Sequence, residues 1–321
     1  MTYPAHKRPW FLPNGHLETI WPSLCRKAPT PRYRRERITT ADDDFLDLDW
    51  LQAGRKRLVI ISHGLEGDSH RHYVTGMART FAAESWDVLA WNFRGCSGEI
   101  NRQPRFTHNG ATDDLHAVVS HALQQHDYTS VTLVGFSMGG NLSLVYLGRE
   151  AAQVPEQVRG AVCFSVPCDL AAASECLAQA GNRIYMQRFM SLMGRKVKHQ
   201  AQHYPELFPC DDYAVLKTFH DFDNRYTAPL HGFSDARHYW RECSSLPYLD
   251  AVRVPAWIVS AQNDPFLPPQ CYPKLDSHAN PLVQMLTPPH GGHCGFAVAG
   301  GGSRYWSEAL ALSLLSEVDA V

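Results

Sequence analysis

The sequence predicts an α/β fold, a mostly parallel, doubly wound sheet interrupted by a helical cap insertion. Three observations carry that expectation. Strand-like and helix-like segments alternate from residue 45 to 166. Continuous apolar runs such as Leu58-Val59-Ile60-Ile61-Ser62 are those of strands covered on both faces. The alternation then stops, with no convincing buried strand from about Cys168 to Leu249, and strand behaviour returns near Val254.

The elements follow in order. About 40 residues at the start read as an arm. Its aromatics Trp10, Phe11 and Trp21 are expected to pack on the core, so that Asn14-Gly15-His16 acts as a tether; the alternative is that this segment reaches the mouth of a site. The basic runs Arg32-Tyr33-Arg34-Arg35-Glu36-Arg37 and Arg55-Lys56-Arg57 read as solvated faces beside strand starts. Residues 45–51 alternate with period two, as a strand with one wet face does. Helix is expected over 73–84 and strand over 87–93. Leu115, Val118, Val119, Ala122 and Leu123 recur at helical spacing within 113–125. A buried strand over 131–135 runs into a helix over 138–147, and 158–166 gives a further strand.

Helices are expected over 171–180, 183–203, 213–226 and 234–242, strands over 254–260 and 282–286, and a closing amphipathic helix over 303–318. The domain reading is a core of residues 1–167 and 250–321 with a helical cap over 168–249; ordinary crossover helices are the alternative. Tyr185, Met186, Phe189, Met190, Leu192 and Met193 form a stripe that packs cap on core, or else lines a pocket.

Bulk properties narrow the function. A net charge of −2 over 321 residues gives nucleic-acid binding no electrostatic support. The first residues lack the apolar stretch of a signal peptide, and no run of eighteen apolar residues predicts a transmembrane helix. Nine cysteines without regular spacing suit free thiols in a reducing compartment, so a cytoplasmic protein is expected. His199 and His203 have the spacing of a ligand pair but lack the accompanying glutamate, and no metal is expected.

The chemistry centres on Gly135-Phe136-Ser137-Met138-Gly139, a G-x-S-x-G between strand and helix that reads as a nucleophile elbow. A serine needs a base to take its proton, and the base needs a partner to hold it. Asp264 follows the strand ending at Ser260, and His293 follows the last strand. We assign Ser137 as nucleophile, His293 as general base and Asp264 as its orienting acid, with His290 and Asp169 as rivals. The backbone N–H groups of Met138 and Leu65 are expected to bind the oxyanion. His63 and Glu66 are expected to shape the Leu65 loop. Asn92-Phe93-Arg94-Gly95 lacks the ending of a phosphate loop and reads as a strand-end turn; residues 299–303 read as a flexible lead into the last helix.

These residues resemble the YheT-like branch of the α/β-hydrolase superfamily over most of the chain. The resemblance is carried by Arg8-Pro9-Trp10-Phe11-Leu12-Pro13-Asn14-Gly15-His16-Leu17-Glu18-Thr19-Ile20, His63-Gly64-Leu65-Glu66-Gly67, Asn92-Phe93-Arg94-Gly95-Cys96-Ser97-Gly98, the elbow as far as Gly140-Asn141, residues 222–233, Asn263-Asp264-Pro265-Phe266 and Gly291-Gly292-His293-Cys294-Gly295-Phe296. The order Ser137, Asp264, His293 is the order of α/β-hydrolase triads. The resemblance implies esterase-type hydrolysis, with other members acting on medium-chain acyl esters or phospholipids, or as acyl-CoA:alcohol acyltransferases. The expected partner is a small acyl ester of short to medium chain, lipid-derived esters included, cleaved without a cofactor. Transfer of the acyl group to an alcohol is the alternative, and a non-catalytic binding protein on a hydrolase fold the third reading. Oligomeric state is not legible.

Overall fold

The computed structural model describes residues 5–26, 29–274, 280–300 and 304–318. The first four residues, 301–302 of the glycine-rich lead, and Ser303, where the closing helix was expected to start, lie outside the described residues. Among the described residues eight strands form one sheet. They are β1 (Arg34–Thr39), β2 (Phe45–Leu51), β3 (Arg57–Ser62), β4 (Asp87–Asn92), β5 (Ser130–Phe136), β6 (Val158–Phe164), β7 (Ala256–Val259) and β8 (Val283–Leu286), in spatial order β1-β2-β4-β3-β5-β6-β7-β8. β1 and β2 are antiparallel to their neighbours, and β3 to β8 pair in parallel.

Side-chain alternation builds two apolar layers. Leu58, Ile60, Leu89 and Leu133 face one cluster with α3 (Thr112–Gln125) and α4 (Met138–Arg149). Val59, Ile61, Val88 and Val134 face the other, with α2 (His72–Ala83) and α10 (Trp306–Val318). Helix α1 (Gly15–Cys25) lies ahead of the sheet in sequence.

One departure from expectation involves charge. Residues 34–39 form the edge strand β1, whose arginines stay exposed as expected, but β2 is buried on both faces rather than wet on one. The register explains it. Arg35 stands opposite Asp49 and Arg37 opposite Asp47, and each arginine forks onto its carboxylate at 2.7–2.8 Å. Fork-on-carboxylate pairing lets two acids enter a sheet interior. Arg94, after β4, is likewise buried among Asp42, Asp44 and Asp114 at 2.7–3.0 Å.

Between β6 and β7 the described chain is helical: α5 (Leu170–Leu177), α6 (Arg183–Gln200), α7 (Phe219–Phe222), a widened turn over Asp223–Thr227, α8 (Ala228–Leu230) and α9 (Ala236–Cys243). The single helix expected over 213–226 is broken. Thr218 and Asp221 form a reciprocal capping box that restarts the helix, at 2.9 and 3.2 Å. This segment has its own apolar cluster, with Met186, Met190, Met193, Val197, Phe208 and Tyr226. α6 ends at Gln200, so His199 and His203 do not share a helix face, and among the described residues no group of three or more ligating side chains is placed to hold a metal.

The arm also differs from expectation. Trp10 is 89% and Phe11 44% exposed, and they meet edge-on at the surface instead of packing on the core, whereas Trp21, edge-on to Phe11, is half-buried against Leu12, Ala297 and Tyr305 as expected. The arm is anchored instead by the buried Leu12 and by α1, capped by Asn14 through the Leu17 N–H at 3.0 Å.

Candidate active site

β5 delivers the chain to Ser137, and α4 leaves from it. Ser137 has φ 53 and ψ −118, a strained backbone for a residue with a side chain. Flanking glycines make the turn possible. A Cβ at Gly135 would lie 2.5 Å from the Gly139 carbonyl, and one at Gly139 would strike the carbonyl oxygens of Ser62 and His63. The Ser137 N–H donates to the Phe164 carbonyl at 2.8 Å, tying the elbow to β6. The Ser137 hydroxyl makes no hydrogen bond among the described residues, and it opens on two cavities.

Asp264 and His293 meet. His293 Nδ1 lies 2.9 and 3.1 Å from the two carboxylate oxygens of Asp264, and Asp264 Oδ1 also accepts the Phe266 N–H at 2.9 Å. The Asp264 side chain is fully buried and that of His293 is 10% exposed. Burial works against charge on the imidazole, but the Asp264 carboxylate outweighs it and raises the His293 pKa above the ordinary imidazole value. Phe266 packs on the His293 ring, centroids 4.2 Å apart.

Both cavities are lined by Ser137, His293 and Leu65. One runs under the helical segment and is walled largely by apolar side chains, among them Met138, Phe106, Leu170, Phe189 and Phe266. The other is a groove between α1, the start of α2 and α6, with Ile20, Tyr73, Tyr185 and Arg188. Of the methionine-rich stripe, Phe189 lines both cavities, Met193 reaches the first, and Tyr185 and Leu192 face the groove. The backbone N–H groups of Leu65 and Met138 have no protein acceptor among the described residues, and both residues line the cavity at Ser137.

The rivals are engaged elsewhere. The Asp169 carboxylate caps α5 through the Ala172 N–H at 3.0 Å. His290 lies 4.0 Å from the Glu18 carboxylate, and its carbonyl pairs with His6. His63 is buried, with Nδ1 donating to the Gly64 carbonyl at 2.7 Å and Nε2 accepting the Phe93 N–H at 3.1 Å; burial drives its pKa down to about 4. Glu66 pairs with Lys196 of α6 at 2.8 Å. Sequence reasoning gave no role to the side chains that hold the His293 loop, namely Glu18, Thr19, Asn263 and Ser165; the first three lie in segments that carry the family resemblance, but nothing local ties them to His293.

A strained serine between a parallel strand and its helix, with an Asp–His pair carried on two later strand ends, is the architecture of an α/β hydrolase. The family model for the alpha/beta hydrolase fold matches residues 57–299, and the chain belongs to that family. Within it the chain falls in the YheT-like branch of esterase- and lipase-type enzymes. It is 34% identical to the YheT protein of Escherichia coli (strain K12), over 88% of this chain and 84% of that one. It is 28% identical to phospholipase ABHD3 of Mus musculus, over 87% and 70%. Among solved structures it resembles the Pyrococcus furiosus esterase Pf2001, with TM-score 0.59 and 18% identity over 89% of this chain and 90% of that one. Est1E of Butyrivibrio proteoclasticus with bound ferulic acid gives TM-score 0.56 at 16% identity, over 89% and 100%. No helix among the described residues is long and apolar enough to cross a membrane.

Proposed function

We propose that the protein is a serine hydrolase that cleaves carboxylic esters of short to medium acyl chain through an acyl-enzyme on Ser137. The observation that carries this reading is His293, paired with Asp264, opening on the same cavity as a serine held at a strained elbow. His293 Nε2 takes the Ser137 proton as the oxygen attacks the ester carbonyl. Asp264 keeps the ring proton on Nδ1 and stabilises the imidazolium that forms. The Leu65 and Met138 N–H groups receive the oxyanion at the N-terminus of α4, where the helix dipole favours negative charge. His293 then protonates the departing alcohol, and water, activated by the same imidazole, releases the acid.

The apolar cavity under the helical cap, residues 168–249, suits the acyl chain, and the groove beside α1 suits the alcohol portion. The relatives named esterase and phospholipase agree with ester substrates. The test is fluorophosphonate treatment followed by peptide mass spectrometry, with p-nitrophenyl esters of increasing chain length as substrates. Labelling confined to Ser137, and loss of hydrolysis in Ser137→Ala at an unchanged Tm, are expected. A folded protein that hydrolyses esters but takes no label at Ser137 would refute the assignment.

A further inference from the structure

The loop that carries His293 draws its order from side chains. From Gly291 to Cys294, four successive backbone N–H groups each donate to a different residue. Gly291 donates to Glu18 Oε2 at 2.6 Å, Gly292 to Asn263 Oδ1 at 3.1 Å, His293 to Thr19 Oγ1 at 2.8 Å and Cys294 to Ser165 Oγ at 2.9 Å. Asn263 is itself held, its Nδ2 donating to the same Glu18 oxygen at 2.9 Å. Two of the four acceptors therefore come from α1, 273 and 274 residues earlier in the chain.

The fit around these bonds is tight. Gly292 has φ +58, and a Cβ there would lie 2.7 Å from the Gly15 carbonyl and 2.8 Å from the Thr19 nitrogen. One at Gly295 would strike the Glu18 carbonyl. Thr19 gives its one hydroxyl proton to the Gly15 carbonyl at 2.6 Å, which leaves its lone pairs for the His293 N–H. Glu18 is 2% exposed, so the two donors it receives have no water to replace it. α1 also reaches α6: His16 stacks on Tyr185 with centroids 5.8 Å apart, Tyr185 packs on Phe266 at 4.7 Å, and Phe266 packs on His293.

A base loop with no strand or helix of its own owes its geometry to whatever accepts its N–H groups. Removing an acceptor leaves a buried donor that the loop must move to satisfy. We infer that α1 is a positioning element of the active site, in which Glu18 and Thr19 hold the His293 loop so that one imidazole serves both Asp264 and Ser137. The inference rests on the reading of Ser137 as nucleophile and His293 as base, and both α1 residues act through His293.

Thr19→Val removes the acceptor at nearly constant shape, Thr19→Ser keeps it, and Glu18→Ala removes the second contact. The readouts are kcat and KM on a p-nitrophenyl ester, the rate of Ser137 phosphonylation, and hydrogen exchange at residues 291–294. Because a misplacement of about 1 Å costs ~100-fold in rate, Thr19→Val should lower kcat at least about tenfold with KM nearly constant. Labelling should slow in parallel, exchange at 291–294 should rise, and Thr19→Ser should recover most of the rate. A folded Thr19→Val protein with wild-type kcat and labelling rate overturns the inference. Unchanged exchange in both Thr19→Val and Glu18→Ala overturns it whatever the chemistry. Failure of the wild type itself to label at Ser137 defeats the serine reading instead, and with it the catalytic purpose of the brace.

Discussion

Replacing Asp264 by asparagine separates the electrostatic from the geometric part of the site. The carboxylate is fully buried, faces His293 Nδ1 at 2.9 and 3.1 Å, and accepts the Phe266 N–H with Oδ1. An asparagine that keeps its oxygen on Phe266 turns its amide protons toward Nδ1. The ring must then carry its own proton on Nε2, where it cannot take one from Ser137. That tautomer lowers kcat by about 10³–10⁴, or ~4–5.5 kcal/mol.

The charge has a separate signature. The Asp264 carboxylate raises the His293 pKa in the folded protein against the opposing effect of burial. An opposite charge at this distance favours the charged imidazole by about 1.4–4 kcal/mol. Because the folded pKa is the raised one, this stabilisation is complete below the unfolded histidine value near 6.5 and is lost as pH rises through the folded value. The wild type should therefore exceed Asp264→Asn in Tm most clearly below pH 6.5, with the gap closing in alkaline solution. Wild-type kcat/KM should rise with pH around a midpoint above 6.5, and the variant's midpoint should fall. Calorimetry and a pH–rate profile supply both readings. A variant with wild-type kcat, or with an unmoved midpoint, refutes the coupling.

Two further substitutions test the scaffold. Gly139→Ala sets a methyl group against the Ser62 and His63 carbonyls, backbone atoms that cannot rotate away, and should cost ~1–3 kcal/mol in urea unfolding; an unchanged midpoint would contradict the close approach of α4 to the end of β3. Arg94→Met leaves Asp44 and Asp114 buried without their cation, at a cost of ~3–5 kcal/mol. Burial already raises the Asp114 carboxyl above its ordinary value, and without Arg94 it can relieve the site by taking up a proton, so the deficit relative to wild type should shrink as pH falls. A deficit independent of pH between 4 and 8 would show that Arg94 acts by packing alone.

What was legible in the sequence was what short segments encode. Buried parallel strands are written as apolar runs, and the elbow requires a serine and two glycines within five residues, so both could be read locally. β1 could not, because its arginines make sense only opposite Asp47 and Asp49 of another strand. The break before α7 turned on one side-chain exchange between Thr218 and Asp221 inside an otherwise helical pattern. Trp10 and Phe11 misled for the opposite reason, since aromatic character favours burial only where a partner surface exists. The acceptors of the His293 loop were the least visible feature. Glu18 and Thr19 sit in a short amphipathic helix with nothing in their spacing to announce a target more than 270 residues away.

Two buried histidines in the neighbourhood of Ser137 show why residue type alone does not choose the base. His63 has both ring nitrogens committed to backbone, one as donor to Gly64 and one as acceptor from Phe93, and no carboxylate touches it. Burial therefore drives its pKa down to about 4, and it stays neutral through the physiological range, suited to shaping the Leu65 loop and unable to store a proton from serine. His293 commits one nitrogen, to a carboxylate, and that carboxylate makes the imidazolium affordable where burial alone would forbid it. The distinction arises mainly from Asp264, with the Cys294 thiol adding to it, and from the loop geometry that brings the ring to them. A carboxylate introduced beside His63 would meet two occupied nitrogens, so His63 has no route to replace His293 in a His293→Ala protein.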